Sequence, residues 1–98
     1  MKKLKYPIIP THLKVTPKIT YEVLFTDEFA DGNTLGEMRR DLRQIVLKNG
    51  LSKTELWKTY IHEVMHLLSD ENDVKLTESQ VLLLEEAIYR FLRLNNFI

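Results

Sequence analysis

Hydrophobic and polar positions along this chain follow two different periods, and the change falls near residue 50. Before it, short apolar stretches rich in β-branched and aromatic residues are separated by turn formers, the pattern of strands. Residues 12–15 are a short strand candidate, Thr16-Pro17-Lys18 a turn, and residues 19–25 (Ile-Thr-Tyr-Glu-Val-Leu-Phe) a longer strand. Asp31-Gly32-Asn33 marks a loop. Residues 35–39 and 43–48 read as a hairpin across Arg40-Asp41-Leu42, with Ile45-Val46-Leu47 its most strand-like part, and Asn49-Gly50 ends it.

After residue 50 the apolar positions recur at helical spacing. Ser52-Lys53-Thr54-Glu55 has the form of a capping box, in which the Ser52 and Glu55 side chains satisfy each other's backbone amides at a helix start. That helix should run to about residue 69. Thr77-Glu78-Ser79-Gln80 opens a second helix in the same way, running to about residue 95, and residues 70–76 join the two. The order β-β-β-β-α-α predicts a single α+β domain over residues 1–98: a small antiparallel sheet with two helices packed on one face. In the first helix Leu56, Trp57, Tyr60, Ile61, Val64, Leu67 and Leu68 fall on one arc, and the second helix should bury Val81, Leu84, Ile88 and Phe91.

His62 and His66 lie off that arc, one turn apart on a shared flank, in the run His62-Glu63-Val64-Met65-His66. Two imidazoles at i and i+4 reach one ion from the same side of a rigid helix. Glu63 projects about 100° from His62, beside such an ion rather than onto it. This is the His-Glu-x-x-His arrangement, in which two histidines hold Zn²⁺ and the glutamate acts as general base on a water that the metal acidifies. A zinc site needs a further protein ligand. A third histidine ten residues after the first would mark one large class of such sites, but Asn72 stands there, and His12 is far away in the strand region. A carboxylate of the second helix is the simplest choice. Glu78 and Glu85, seven apart, share one flank and stand level; Glu86 comes third, on the solvated side with Arg90 and Arg93. Tyr60 reads as core and Tyr89 as the better oxyanion candidate of the two. Asp70, Glu71 and Asp73 read as a solvated acidic loop.

Composition narrows the field. Hydrophobic residues make up 44% and charged residues 29% of 98 residues, the balance of a small globular domain. There is no cysteine, which excludes disulfides and thiolate metal sites. No apolar run reaches the length of a membrane span, and the basic start Met1-Lys2-Lys3-Leu4-Lys5 is not followed by a signal-peptide core, so the expected compartment is cytoplasmic. The net charge is zero but uneven: eleven basic against seven acidic residues over 1–58, three against seven over 59–98. The acidic half suits a cation. Lys2, Lys3, Lys5, Arg39, Arg40 and Arg43 form a weak basic set that reads as a solvated face, so a nucleic-acid partner is not expected.

The order of a strand, the Leu35-Gly36-Glu37 hairpin, the Ile45-Val46-Leu47 strand, the His-Glu-Val-Met-His helix, the Thr77-Glu78-Ser79-Gln80-Val81 start and the Leu92-Arg93-Leu94-Asn95-Asn96 end resembles small phage- and prophage-encoded metallopeptidases, over about residues 19–96. It is also similar to the minimal zincin-like scaffold of the gluzincins. The resemblance implies His62 and His66 as zinc ligands, Glu63 as general base, and Glu78 rather than Glu85 as third ligand. Leu67 departs from the alanine common after the second histidine. The function so implied is zinc-dependent hydrolysis of peptide bonds in a peptide or protein substrate. The strand at 43–48 would flank the cleft and pair with that peptide, or else be sheet core. The alternative is a catalytically inert phage-type protein whose zinc site serves binding to a host protein or nucleic acid. The tail Asn96-Phe97-Ile98 packs on its own core or enters a neighbour's groove.

Overall fold

The computed structural model describes residues 9–98. Four strands precede two helices: β1 (His12–Thr16), β2 (Ile19–Thr26), β3 (Gly36–Arg39), β4 (Gln44–Lys48), α1 (Lys53–Glu71) and α2 (Glu78–Leu94). The α+β class and the order of elements are those read from the sequence. Both capping boxes are formed, with Ser52 and Glu55 closing the start of α1 and Thr77 and Gln80 that of α2. Lys2, Lys3 and Lys5 lie outside the described residues.

The sheet differs from expectation in one respect. Its order is β1-β2-β4-β3, and β2 pairs with β4 in parallel, so the sheet is mixed rather than antiparallel. The two hairpins, β1–β2 and β3–β4, are antiparallel as read. After β2 the chain carries on through the loop at 27–35, whose Asp31 accepts from the backbone of Asn33 and Thr34, and only then turns back into β3. The return strand β4 then fits between β3 and β2, running alongside β2. Arg43 O accepts from Glu22 N at 2.9 Å at one end of this parallel pair, and Asn49 N donates to Thr26 O at 2.7 Å at the other. Hydrophobic alternation records which face of a strand is buried, not which strand lies beside it.

Because β4 is central, Ile45, Val46 and Leu47 are all buried, and its backbone is paired on both sides. The strand at 43–48 is therefore sheet core, and it is β3 that forms the edge on the helix side. Tyr21, Val23, Ile45, Leu47, Trp57 and Leu67 make the main core between sheet and α1. A second cluster of Ile61, Met65 and Val81 joins α1 to α2.

Two faces of α1 are thus covered, which widens its buried arc. Met65 and Glu63, outside the arc read from the sequence, are buried; Leu68, inside it, is exposed. On α2 only Val81 is fully buried, while Leu84 and Phe91, read as core, are exposed. α1 covers less of the circumference of α2 than the apolar pattern offers. The tail folds onto its own chain: Ile98 packs against the main core and the Phe97 ring stacks on Phe91 at 6.3 Å. No helix among the described residues is long and apolar enough to cross a membrane.

Candidate metal centre

The flank of α1 that carries His62 and His66 lies in the trench between β3 and α2. The trench is narrow on the β3 side because residue 36 is glycine. A Cβ there would stand 2.5 Å from Thr59 Cγ2 and 3.3 Å from Glu63 Cγ, so only a bare backbone lets this strand approach the helix so closely. On the other side, the second capping box fixes where α2 begins. That start puts Glu78 in its first turn over the histidines.

His62 Nε2 and His66 Nε2 stand 3.2 Å apart. Glu78 spans both: its Oε1 is 3.0 Å from His62 Nε2 and its Oε2 is 3.4 Å from His66 Nε2. Among the described residues this is the group of His, Asp and Glu side chains whose donor atoms converge closely enough for one metal ion. The edges of a tetrahedron around a zinc-sized ion with bonds of ~2.0–2.1 Å are about 3.3 Å long, close to the separation of the two imidazole nitrogens and to the reach of the Glu78 carboxylate to each. Without one, every contact needs a proton between two atoms that otherwise repel through their lone pairs. The donor set of two imidazoles and a carboxylate suits a divalent transition-metal ion, zinc and iron(II) among them.

Glu85, one of the two carboxylates that stood level in the sequence, lies on the far side of the ring. His62 Nδ1 donates to Glu85 Oε1 at 2.9 Å. A carboxylate accepts, so this contact puts the proton on Nδ1 and leaves Nε2 with its lone pair towards Glu78 and His66. Glu85 is mostly buried, which holds the imidazole in that orientation. The seven-residue spacing of the two glutamates carries this division: two turns along one flank, one carboxylate reaches Nε2 and the other Nδ1. Glu86, third in order, points away and pairs with Lys58 Nζ at 2.6 Å.

Glu63 is 7% exposed. Among the described residues nothing donates a hydrogen bond to its carboxylate, which borders a cavity of about 500 Å³ together with Thr34, Leu35, Gly36, Thr59 and His62. Burial pushes its pKa above the ordinary glutamate value, with the two imidazoles pulling in the opposite direction. A carboxylate with a raised pKa, without a hydrogen-bond donor among the described residues and facing a cavity, is suited to take and return a proton.

The remaining candidates lie elsewhere. Tyr60 packs edge-on to Trp57 within the core, and burial raises its phenol pKa. Tyr89 donates to Thr54 Oγ1 at 3.2 Å, towards the start of α1. His12 is exposed on β1, with Nδ1 beside Thr11 Oγ1. Asp70 and Glu71, read as part of a solvated loop, belong to the last turn of α1, and Glu71 is mostly buried, accepting from Tyr21 Oη at 3.0 Å with Arg40 Nε at 3.9 Å. Arg39 pairs with Glu37, so two of the basic residues on the β3–β4 hairpin already face carboxylates. Sequence reasoning missed Gly36 as a steric requirement and β3 as the edge beside the site; its only trace there is a glycine inside the strand read at 35–39.

Protein-family models, curated proteins and solved structures were all compared with the chain, and none matches it.

Proposed function

We propose that the chain is a zinc-dependent peptidase of minimal size, acting in the cytoplasm of a bacterial host. His62, His66 and Glu78 hold the metal, Glu85 orients His62, and Glu63 is the general base. Bound zinc supplies a Lewis acid that acidifies water and polarises a carbonyl. Glu63 takes the proton of the attacking water on its carboxylate and returns it to the leaving amine. The observation that carries this reading is the convergence of two imidazole nitrogens and the Glu78 carboxylate, whose two oxygens each face one of them, at spacings of 3.0–3.4 Å beside a buried glutamate that accepts no hydrogen bond from the described residues.

The β3 edge supports a peptide as substrate. Lys48 N donates to Leu35 O at 2.8 Å, and the register pairs Glu37 with Val46 and Arg39 with Gln44. In an antiparallel ladder alternate residues point their amides towards the partner, so Gly36 and Met38 point theirs outward. Gly36 also borders the cavity next to Glu63. An extended peptide added to this edge would lie along the site, held by main-chain hydrogen bonds and therefore tolerant of its sequence.

Elemental analysis of purified protein, with His62→Ala and Glu63→Gln beside it, is the test. Near-stoichiometric zinc should be present in the parent and in Glu63→Gln and absent from His62→Ala. Against a mixed peptide library, the parent should cleave and Glu63→Gln should not. A metal-free parent in zinc-supplemented buffer would end the metal reading; full zinc with equal cleavage by parent and Glu63→Gln would end the assigned base.

A further inference from the structure

The outer face of α2 presents apolar side chains that the described residues leave largely exposed. Leu84, Ala87, Phe91 and Leu94 repeat at intervals of three, four and three residues, the spacing of a helix–helix seam. Leu84 is 43% exposed, Phe91 58% and Leu94 75%; beside them Leu83 is 74% and Phe97 61% exposed. Together they leave on the order of 500 Å² of apolar surface on one side of the molecule, where a monomer's largest patch is about 300–600 Å² and often functional. The inner face of the same helix carries Glu78 and Glu85, so the seam and the metal centre lie on different sides of α2.

We infer that this seam is the interface of a homodimer, with α2 packed antiparallel against α2 of a second copy. The seam is self-complementary in that arrangement. A two-fold axis at residue 89 sets Leu84 against Leu94 of the second copy and Ala87 against Phe91 of the second copy. Each inner layer then joins one large and one small side chain, which fills space without overlap. A parallel pairing would stack Phe91 on Phe91 and leave Ala87 facing Ala87. Leu83 meets Phe97 of the second copy at each end, and Arg90 lies on the polar rim. Leu84 also borders an apolar groove between α1 and α2, lined by Met65, Leu68, Val74 and Ile88, so Leu94 of the second copy closes its mouth. A standard interface buries about 800 Å² per partner, of which up to ~65% is apolar in homodimers; the exposed seam matches that share. The proposal stands independently of the peptidase reading.

Sedimentation velocity on the full chain, over a range of concentrations, tests it. The parent should sediment at twice its 11.6 kDa mass at high concentration and dissociate on dilution. Leu94→Glu should be monomeric with an unchanged circular dichroism spectrum, since that side chain takes little part in the monomer fold. Ala87→Phe should weaken the dimer roughly tenfold or more, and adding Phe91→Ala should restore it, because the swap keeps one large residue in each inner layer. A parent that stays monomeric at every concentration overturns the proposal. So does a dimer that survives Leu94→Glu, as a membrane- or client-binding face would leave the self-association unaffected. A double swap weaker than Ala87→Phe alone overturns the antiparallel arrangement.

Discussion

Replacing Gly36 with alanine tests the close approach of β3 to α1, on which the cavity beside Glu63 depends. The added Cβ would lie 2.5 Å from Thr59 Cγ2, and 3.3 Å from both Glu63 Cγ and Leu47 Cδ2. Carbon atoms rest ~3.5–4.0 Å apart, so the first contact overlaps by about 1 Å and the other two are tight. Thr59 is branched at Cβ on a helix, with few rotamers to retreat into, and Leu47 is fully buried. Strand and helix must therefore separate, at a strain of about 1–3 kcal/mol. Gly36 is not in the left-handed region. Alanine there consequently recovers about 0.4–1 kcal/mol from the unfolded chain. The net loss is about 1–2 kcal/mol, or a fall in Tm of roughly 5–15 °C for a domain of this size. Thr59→Ser removes only the clashing methyl. In a double-mutant cycle by thermal or urea unfolding, Gly36→Ala should then cost about 1 kcal/mol less in the Thr59→Ser background than in the parent. Additive effects, or a Gly36→Ala variant as stable as the parent, would refute the steric argument. If the peptidase reading holds, turnover should fall further than stability does, since a shift of about 1 Å in a substrate-positioning strand is worth up to ~10²-fold.

Three further expectations follow from the same geometry. Zinc at a hundred times its Kd should stabilise the protein by about 2.7 kcal/mol, seen as a chelator-reversible rise in Tm that is lost in His66→Ala. Glu85→Gln keeps a group that can accept from His62 Nδ1 but removes the charge; zinc affinity should drop about 10–100-fold in a competition titration, with the fold intact. Tyr21→Phe removes the hydroxyl donated to Glu71 and should cost about 1–2 kcal/mol near neutral pH. Burial, and then Glu71, raise the Tyr21 pKa above its ordinary value near 10.0. The stability it contributes is thus whole below pH 10 and lost as pH rises through the raised value; the gap between parent and Tyr21→Phe should close only in that alkaline range.

Local chemistry was legible because each signal acts over a few residues. The Ser52/Glu55 and Thr77/Gln80 boxes mark helix starts that lie where they were read. His62, Glu63 and His66 share one helical repeat, so their relative directions follow from the helix alone. Where two distant segments had to meet, the sequence was less informative. The parallel neighbours β2 and β4 are joined by the loop and hairpin between them, and no residue in either strand announces the pairing. The buried arc of α1 was read too narrowly because periodicity reports one apolar stripe, whereas this helix packs against sheet and helix at once. Leu84 and Phe91 expose the converse problem: an apolar flank on α2 cannot say whether its own chain or another covers it.

The distribution of the proposed metal donors has a consequence for folding as well as chemistry. His62 and His66 belong to α1, which is anchored to the sheet by the main core. Glu78 and Glu85 belong to α2, which is held to α1 by a smaller cluster around Val81. Glu78 is itself exposed, so little besides the two imidazoles it faces keeps its carboxylate in place. A cation shared by the two helices would act as a cross-link at the weaker of the two cores, in a chain short enough for its total stability to be marginal. Removing the metal should then loosen α2 before the sheet, and amide exchange should quicken first around Val81 and Ile88 while Ile45 and Leu47 stay protected. Uniform quickening across both cores would instead mean that the helices already form one cooperative unit without the ion.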